Sequence, residues 1–480
     1  MNGQFEAVIG LEVHVQLSTQ SKCFCRSRAR SDSVAHEQVN GNLCEVCAGH
    51  PGTLPVLNHT AVEYAIRAGL ATNCTIRERS RFSRKNYFYP DLPKGYQISQ
   101  YDEPLCESGW LEIVTVAGAP KRVRITRIHM EEDAGKNVHH VGYSLVNLNR
   151  AGVPLVEVVS APDLSSAEEA SAYLKVLHAI VTSIGICDGN LEEGNFRCDA
   201  NVSVRRRGDS TLGTRVEVKN VNSFRFVERA IQHEIARQVD VIESGGSVVQ
   251  ETRGYDSDRD LTFSQRTKEQ AHDYRYFPDP DLLPLRVTRE WVEQIRAGLP
   301  ELPEQRRARY LQLKVHSDQA HLLAYTPELS HLFDEAVRAG GPANILSALV
   351  CGEVMRLQNE SGSTQVRIKA SALAEVAGLQ ASATVSSTAA KQLILKLWEQ
   401  DEPVHALMER LGLRQLSDVS ALEKWIDQAI AEFPAQSQEY RLGKDKVLGF
   451  LVGQVMKSSG GKANPSLVQE VLTKKLRGGE

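Results

Sequence analysis

The sequence predicts an α+β protein. It reads as a β-rich antiparallel-sheet domain over residues 1–292, a helical domain over 293–406 and a small all-α tail domain over 407–480. Two observations carry this reading. Through the first ~290 residues apolar side chains recur at every second position between turn residues. Beyond them apolar positions recur at helical spacing and strand signals fade. A chain of 480 residues, 41% hydrophobic and 24% charged, suits a globular protein of several domains with ample core.

The elements follow in order. In "IGLEVHVQL", Ile9, Leu11, Val13, Val15 and Leu17 fall on one face, and Glu12, His14 and Gln16 on the other. "SSAEEASAYLKVLHAIVTSIG" opens on a capping-like Ser-Ser-Ala-Glu and stops at Gly185, so it predicts a helix. "FRCDANVSVR" alternates Phe196, Cys198, Ala200, Val202 and Val204 with Arg197, Asp199, Asn201 and Ser203. "TRVEVKN" sets Val216 and Val218 against Arg215, Glu217 and Lys219. "SFRFVERAIQHEIARQVDVIESGG" predicts a second helix ending at Gly245 and Gly246. "PANILSALVCGEVMRLQNE" and "STAAKQLILKLWEQ" are amphipathic helices of the middle domain. In the tail, "SALEKWIDQAIAEF", "KVLGFLVGQVMK" and "SLVQEVLTKKL" read as short helices, with the loop "SSGGKANP" before the last.

Bulk properties exclude several classes. A net charge of −4 does not mark the whole chain as a nucleic-acid binder. From Arg441 to Glu480, however, there are eight Lys and Arg against three Asp and Glu, a local basic stretch. "MNGQFEAVIGLEVHV" has no secretory pattern, and no apolar run approaches ~18 residues, so a cytoplasmic protein is expected. Nine cysteines in such a chain argue for thiols or metal ligands. No Gly-x-x-x-x-Gly-Lys-Ser/Thr loop is present, so an ATP site would be built on the sheet face.

"RIHMEEDAGK" places Glu131, Glu132 and Asp133 side by side. An exposed turn accounts for this, and so does a divalent cation that converts carboxylate repulsion into attraction. The polar strand faces decide between them. Glu12 with His14, Arg197 with Asp199 and Asn201, and Arg215 with Glu217 and Lys219 each point one way. Three such strands in one sheet point to a built site, and Glu157, alone among apolar neighbours in "VPLVEVVS", needs a partner there. Carboxylates with one imidazole suit Mg²⁺ better than Zn²⁺, and Mg²⁺ beside Lys and Arg suits phosphate chemistry. Lys85 and Lys94 sit in a Pro- and Tyr-rich loop where Tyr87, Tyr89 and Tyr96 offer faces for a base.

Cys23, Cys25, Cys44 and Cys47 form C-x-C and C-x-x-C pairs. That spacing predicts a structural zinc site with four thiolates. Cys74, Cys106, Cys187, Cys198 and Cys351 read as isolated core residues.

Several long segments together closely resemble the B subunit of the bacterial tRNA-dependent amidotransferases. They are "IGLEVHVQL", "RKNYFYPDLPKGYQISQYDEPL", "IHMEEDAGK", "NLNRAGVPLVEVVS", "EEGNFRCDANVSVR", "EVKNVNSFRFVERAI", "ETRGYD", "DYRYFPDPDLLPL" and "GKDKVLGFLVGQVMKSSGGKANP". The resemblance runs over essentially the whole chain. It implies a β-rich cradle catalytic domain, a helical domain and a tail that grips tRNA. It implies a ligase forming C–N bonds with glutamine as amide donor, in a heterotrimer with an amidase A subunit and a small bridging C subunit. The expected reaction converts Glu-tRNA(Gln), Asp-tRNA(Asn) or both: ATP phosphorylates the side-chain carboxylate, and ammonia from the partner displaces the phosphate. By resemblance, Glu12, His14, Glu132, Glu157, Asp199 and Glu217 are expected around Mg²⁺, with Glu131 as the alternative to Glu132. Lys85, Arg197, Arg215 and Lys219 are expected on phosphates. The rival expectations are a non-catalytic, zinc-containing tRNA-binding scaffold and a free-standing ATP-dependent ligase for a small acid. Acids on the sheet face count against the scaffold.

Overall fold

The computed structural model describes residues 4–29, 38–221, 223–267, 274–362, 365–415, 419–459 and 463–478. The chain forms two compact units, Met1–Pro303 and Glu304–Glu480. The first unit opens with strands β1 (Phe5–Gln16), β2 (Thr75–Ile76), β3 (Arg79–Ser80), β4 (Ser83–Asn86), β5 (Tyr96–Ser99) and β6 (Cys106–Val114). It continues with β7 (Pro120–Glu132), β8 (Lys136–His140), β9 (Tyr143–Asn147), β10 (Pro154–Ser160), β11 (Phe196–Arg206) and β12 (Val216–Val221). It ends with β13 (Glu251–Asp256), β14 (Leu261–Thr267), β15 (Phe277–Pro278) and β16 (Leu285–Arg286). Its helices are α1 (His59–Ala71), α2 (Ala167–Ser183), α3 (Phe224–Glu243) and α4 (Arg289–Ala297).

Among the described residues, nine strands form one sheet in the order β14-β13-β12-β11-β1-β10-β7-β6-β2. Apolar alternation sets its two faces. Ile9, Leu11, Val13 and Val15 of β1 are fully buried under α1, α2 and α3, which pack on the strands around them. Both long helices start where their sequence signals lie. Ser166 Oγ accepts from Glu169 N at 3.2 Å, and Ser223 Oγ accepts from Phe226 N at 3.1 Å. Each ends just before a glycine at positive φ, Gly185 and Gly245.

The expectation of a purely antiparallel sheet needs one correction: β12 and β13 run parallel. Parallel neighbours need a crossover, and α3 supplies it between them. Glu234 of α3 is fully buried there, accepting from Arg237, Gln238 Nε2 at 2.8 Å and Thr262 Oγ1 at 3.1 Å. A three-stranded sheet, β15-β4-β5, packs against β7 through β5.

The first unit runs past residue 292 because α4 packs on α1, with the Trp291 and His59 rings stacked at 4.7 Å. The second unit is helical and, among the described residues, holds two apolar cores. One spans Tyr310 to Met408 and the other Leu422 to Leu476. The boundary expected at 406 falls inside the helix Val404–Leu411, whose Leu407 and Met408 belong to the first of these cores. Among the described residues no helix is long and apolar enough to cross a membrane.

Candidate active site on the polar face of the sheet

Cross-strand register assembles the site. His14 lies opposite Glu157 on β10 and Arg197 on β11. Glu157 lies opposite His129 on β7, and Leu155 opposite Glu131. Glu12 lies opposite Asp199, and Asn201 opposite Glu217. Residues directly opposite one another share a face, so five adjacent strands bring these side chains together.

His14 Nε2 is 3.4 Å from Glu131 Oε1 and 3.5 Å from Glu157 Oε2. His129 Nε2 reaches the same Glu157 oxygen at 3.4 Å. One ligand atom from each of His14, Glu131 and Glu157 lies within 4.8 Å of the others. An octahedral cation at ~2.1 Å from its ligands separates them by about 3 Å when adjacent and about 4 Å when opposed. The two separations from His14 Nε2 fall in that interval, and carboxylate and imidazole donors of this kind fit a hard cation.

Electrostatics agree with a cation-binding role. Burial opposes charge on His14, but the hydrogen bond to Glu157 and the Glu131 charge outweigh it and raise the imidazole to about 9. Burial also opposes ionisation of Glu157, yet His129 and His14 hold it well below the usual carboxylate range. Glu12 is pushed the other way, by burial and then by the Glu157 and Glu217 charges, while Asn201 Nδ2 donates to it at 2.9 Å. A divalent ion relieves that crowding.

Cations face the acids. His14, Lys85, Glu131, Arg197, Asp199 and Lys219 line one cavity of about 300 Å³. Lys219 Nζ is 2.7 Å from Asp199 Oδ2 and 3.1 Å from Glu217 Oε1. Burial disfavours its charge, and those two carboxylates overcome this and raise it. Lys85 Nζ sits 4.8 Å from the centre of the Tyr274 ring, which meets Tyr87 and Tyr276 edge-on. Burial opposes the Lys85 charge, and Glu131 is the strongest influence sustaining it.

Three site expectations change. Glu132 points to the opposite face of β7, because neighbours on a strand alternate. There it pairs with Lys94 and accepts from Ile98 N at 2.9 Å. Glu131 is therefore the carboxylate that joins His14 and Glu157. Arg215 is exposed and lines a second cavity beside Glu12, apart from Lys85, Arg197 and Lys219. Nor is Asp133 a solvent turn. It is buried between Arg197 at 3.1 Å and Arg150 at 3.1 Å. Sequence reasoning misses His129, Asp133 and Arg150. The signal for His129 is its position two residues before Glu131, on the same strand face.

The thiols also differ from expectation. Cys25, Cys44 and Cys47 converge, with ligand atoms within 4.8 Å of one another. Tetrahedral zinc with sulfurs at ~2.3 Å places them ~3.8 Å apart, and Cys44 and Cys47 Sγ are 3.8 Å apart. A hydrogen bond from Cys25, then the Cys44 amide and the Lys22 ammonium, hold the Cys47 thiol low against its burial. Cys23 lies outside this group. Lys22 turns toward Cys47, with Nζ 3.7 Å from its Sγ, and Cys23 is fully buried. Of Tyr87, Tyr89 and Tyr96, it is Tyr87 that joins the Lys85 cluster. Tyr96 lies under Arg84 at 4.2 Å, and Tyr89 is exposed beside His139.

Comparison with known proteins adds the lineage. The GatB/GatE catalytic domain matches residues 7–293 and a GatB domain matches residues 331–476. A relative from Geobacter sulfurreducens, described as the B subunit of an aspartyl/glutamyl-tRNA(Asn/Gln) amidotransferase, is 53% identical over 99% of this chain and 100% of its own. Relatives of the same description from Syntrophotalea carbinolica and Oleidesulfovibrio alaskensis are 52% and 51% identical, over 100% and 98% of this chain and 100% and 99% of theirs. A polar sheet face of this composition, within a chain matched from end to end, belongs to the GatB/GatE family of amidotransferase B subunits.

Proposed function

We propose that this chain is the transamidating subunit of a glutamine-dependent ligase acting on mischarged Glu-tRNA(Gln), Asp-tRNA(Asn) or both. The single observation that carries the proposal is the cavity where His14, Glu131 and Glu157 face Lys85, Arg197 and Lys219. A carboxylate resists attack by ammonia because oxide is a poor leaving group. Transfer of the terminal phosphoryl group of ATP to a side-chain oxygen gives an acyl phosphate and ADP. Ammonia then attacks the carbonyl carbon, the C–N bond forms, the C–O bond breaks, and phosphate leaves as the nitrogen sheds a proton.

The residues divide this work. His14, Glu131 and Glu157 would hold Mg²⁺, and Glu12, Asp199 and Glu217 form a second acidic row beside them. Bound Mg²⁺ neutralises phosphate charge during transfer. Lys85, Arg197 and Lys219 orient phosphate oxygens, and Asp133 fixes the Arg197 fork in place. Arg215 contacts phosphate only at the margin. Cys25, Cys44 and Cys47 would supply three of the four ligands of a structural zinc ion. An amidase A subunit supplies ammonia, a small C subunit bridges the two, and the basic tail tracks tRNA phosphates in the cytoplasm.

The test is ADP release by the assembled subunits given Mg²⁺, ATP, ammonium and mischarged tRNA. ADP and amidated product that appear only with the mischarged tRNA support the proposal. Amidation without ADP formation, or no tRNA-dependent ADP, overturns it and favours the scaffold.

A further inference from the structure

Arg150 stands behind the cavity of Lys85, Arg197 and Lys219 rather than in it. Asp133, Ala134 and Arg197 line that cavity, and Arg150 does not. A tight turn fixes the Arg150 backbone. Gly152 N donates to Asp133 O at 2.8 Å, Asp133 N to Val153 O at 2.7 Å, and Val153 N to Arg150 O at 3.0 Å. Gly152 takes a φ of 86°, which favours glycine, and its carbonyl accepts from Cys23 N at 2.7 Å. The turn thus sets Arg150 beside Asp133.

The pair between Asp133 and Arg197 is half made. A guanidinium and a carboxylate commonly join by two parallel N–H···O bonds. Here Arg197 Nη2 donates to Asp133 Oδ1 at 3.1 Å. Arg197 Nε is buried and donates to no group among the described residues, and Asp133 Oδ2 is buried and accepts no hydrogen bond from them. Two buried polar atoms left open on one ion pair are costly, so something must keep them from meeting. Arg150 is placed to do so. Its Nε lies 3.1 Å from Asp133 Oδ2, while its hydrogen goes to Ala134 O at 3.2 Å. The Arg150 charge therefore holds Oδ2 without hydrogen-bonding it. Burial opposes the Arg197 charge, and Asp133 is the strongest influence sustaining it. Arg197 is a cation tethered by one bond, with a donor to spare.

We propose that Arg150 is a positioning residue for phosphoryl transfer: it holds Asp133 Oδ2, so that Asp133 keeps Arg197 by a single bond and the guanidinium stays available to phosphate oxygens in the cavity. The proposal rests on the transamidation reading. Without Arg150, Oδ2 is released, the pair closes on both Nε and Nη2, and Arg197 turns from the cavity toward Asp133.

The experiment uses the assembled complex carrying Arg150→Ala, alone and together with Asp133→Asn, and reads tRNA-dependent ADP release. Losing a charged hydrogen bond to the transferred phosphoryl group lowers kcat by about 10- to 100-fold. KM for mischarged tRNA should stay within twofold of wild type. In the Asp133→Asn background no carboxylate remains to close on Arg197, so adding Arg150→Ala should change kcat by less than twofold. A kcat within twofold of wild type in Arg150→Ala overturns the proposal. So does a full loss repeated in the Asp133→Asn background, which is what a merely structural role predicts. Circular dichroism checks that the variants fold. Should Arg150→Ala not fold, Arg150→Gln, which keeps the length and removes the charge, decides by the same cycle. Wild-type complex without tRNA-dependent ADP release would instead refute the transamidation reading, so the two failures are distinguishable.

Discussion

Replacing Glu131 with Gln separates the two faces of β7. The substitution keeps the shape of the side chain and removes one of the two carboxylates around His14 Nε2, 3.4 Å away. A cation seated among these ligands would lie closer to Glu131 than that, so about 5 kcal/mol, the worth of a unit charge pair at this distance and an effective dielectric of 20, is a conservative measure of the attraction lost. Water drawn onto the bound cation in place of the lost oxygen restores roughly half, leaving ~2–3 kcal/mol. That corresponds to a ~30- to 160-fold loss in Mg²⁺ affinity. The assay is amidation with exogenous ammonium at stepped Mg²⁺, read beside ammonia release from glutamine by the amidase partner. Glu131→Gln should need far more Mg²⁺ for the same amidation rate, while ammonia release persists. Glu132→Gln, which disturbs the Lys94 pair on the opposite face, should leave the Mg²⁺ dependence in place. A Glu131→Gln complex with wild-type Mg²⁺ dependence, or a Glu132→Gln complex with the shifted one, would refute the assignment.

Four further outcomes are expected. His129→Ala removes the outer partner of Glu157, so Mg²⁺ affinity should fall ~10- to 100-fold, with partial recovery in His129→Gln. Elemental analysis should find zinc in wild-type and Cys23→Ser protein and little in Cys44→Ser, because among the described residues Cys25, Cys44 and Cys47 converge and Cys23 does not join them. Glu169 caps α2, and although burial opposes its charge, Lys121 and the Ser165 amide hold its carboxyl below the ordinary 4.5. Its stabilisation is therefore present above pH 4.5 and lost as pH falls through the lower folded value, and Glu169→Gln should flatten that stretch of a Tm-versus-pH curve. A chain ending at residue 418 should keep its middle core, bind the amidase partner and bind tRNA more weakly, most visibly at raised salt. A cut at 406 removes Leu407 and Met408 from that core and should lower the Tm as well.

Much of this site is legible in the amino-acid sequence, for a simple reason. A strand face is fixed by parity, so Glu12 with His14, and Arg197 with Asp199, must travel together once their strands are recognised. Helix limits at Ser166, Gly185, Ser223 and Gly245 are equally legible because caps are local chemistry. Register between strands is not local, and there sequence reasoning slips. Glu131 and Glu132 differ by one step in parity, and only the pairing of Glu157 with His129 decides which faces His14. Asp133 resembles a turn residue because its partners, Arg150 and Arg197, come from segments far along the chain. Cys23 meets the spacing rule for zinc, but spacing does not say which of Lys22 and Cys23 faces Cys47.

The central place of β1 also has a consequence for synthesis of the chain. This strand leaves the ribosome well before its partners, which are β10, beginning at Pro154, and β11, ending at Arg206. At 5–20 residues per second, its apolar Ile9, Leu11, Val13 and Val15 wait ~7–30 s for the first of them. During that interval it is an unpaired, hydrophobic edge, the kind of segment that chaperones hold and that aggregates when they do not. Glu12 and His14 lie within that same waiting strand, so the polar face they share with β10 and β11 closes only when those strands have been made.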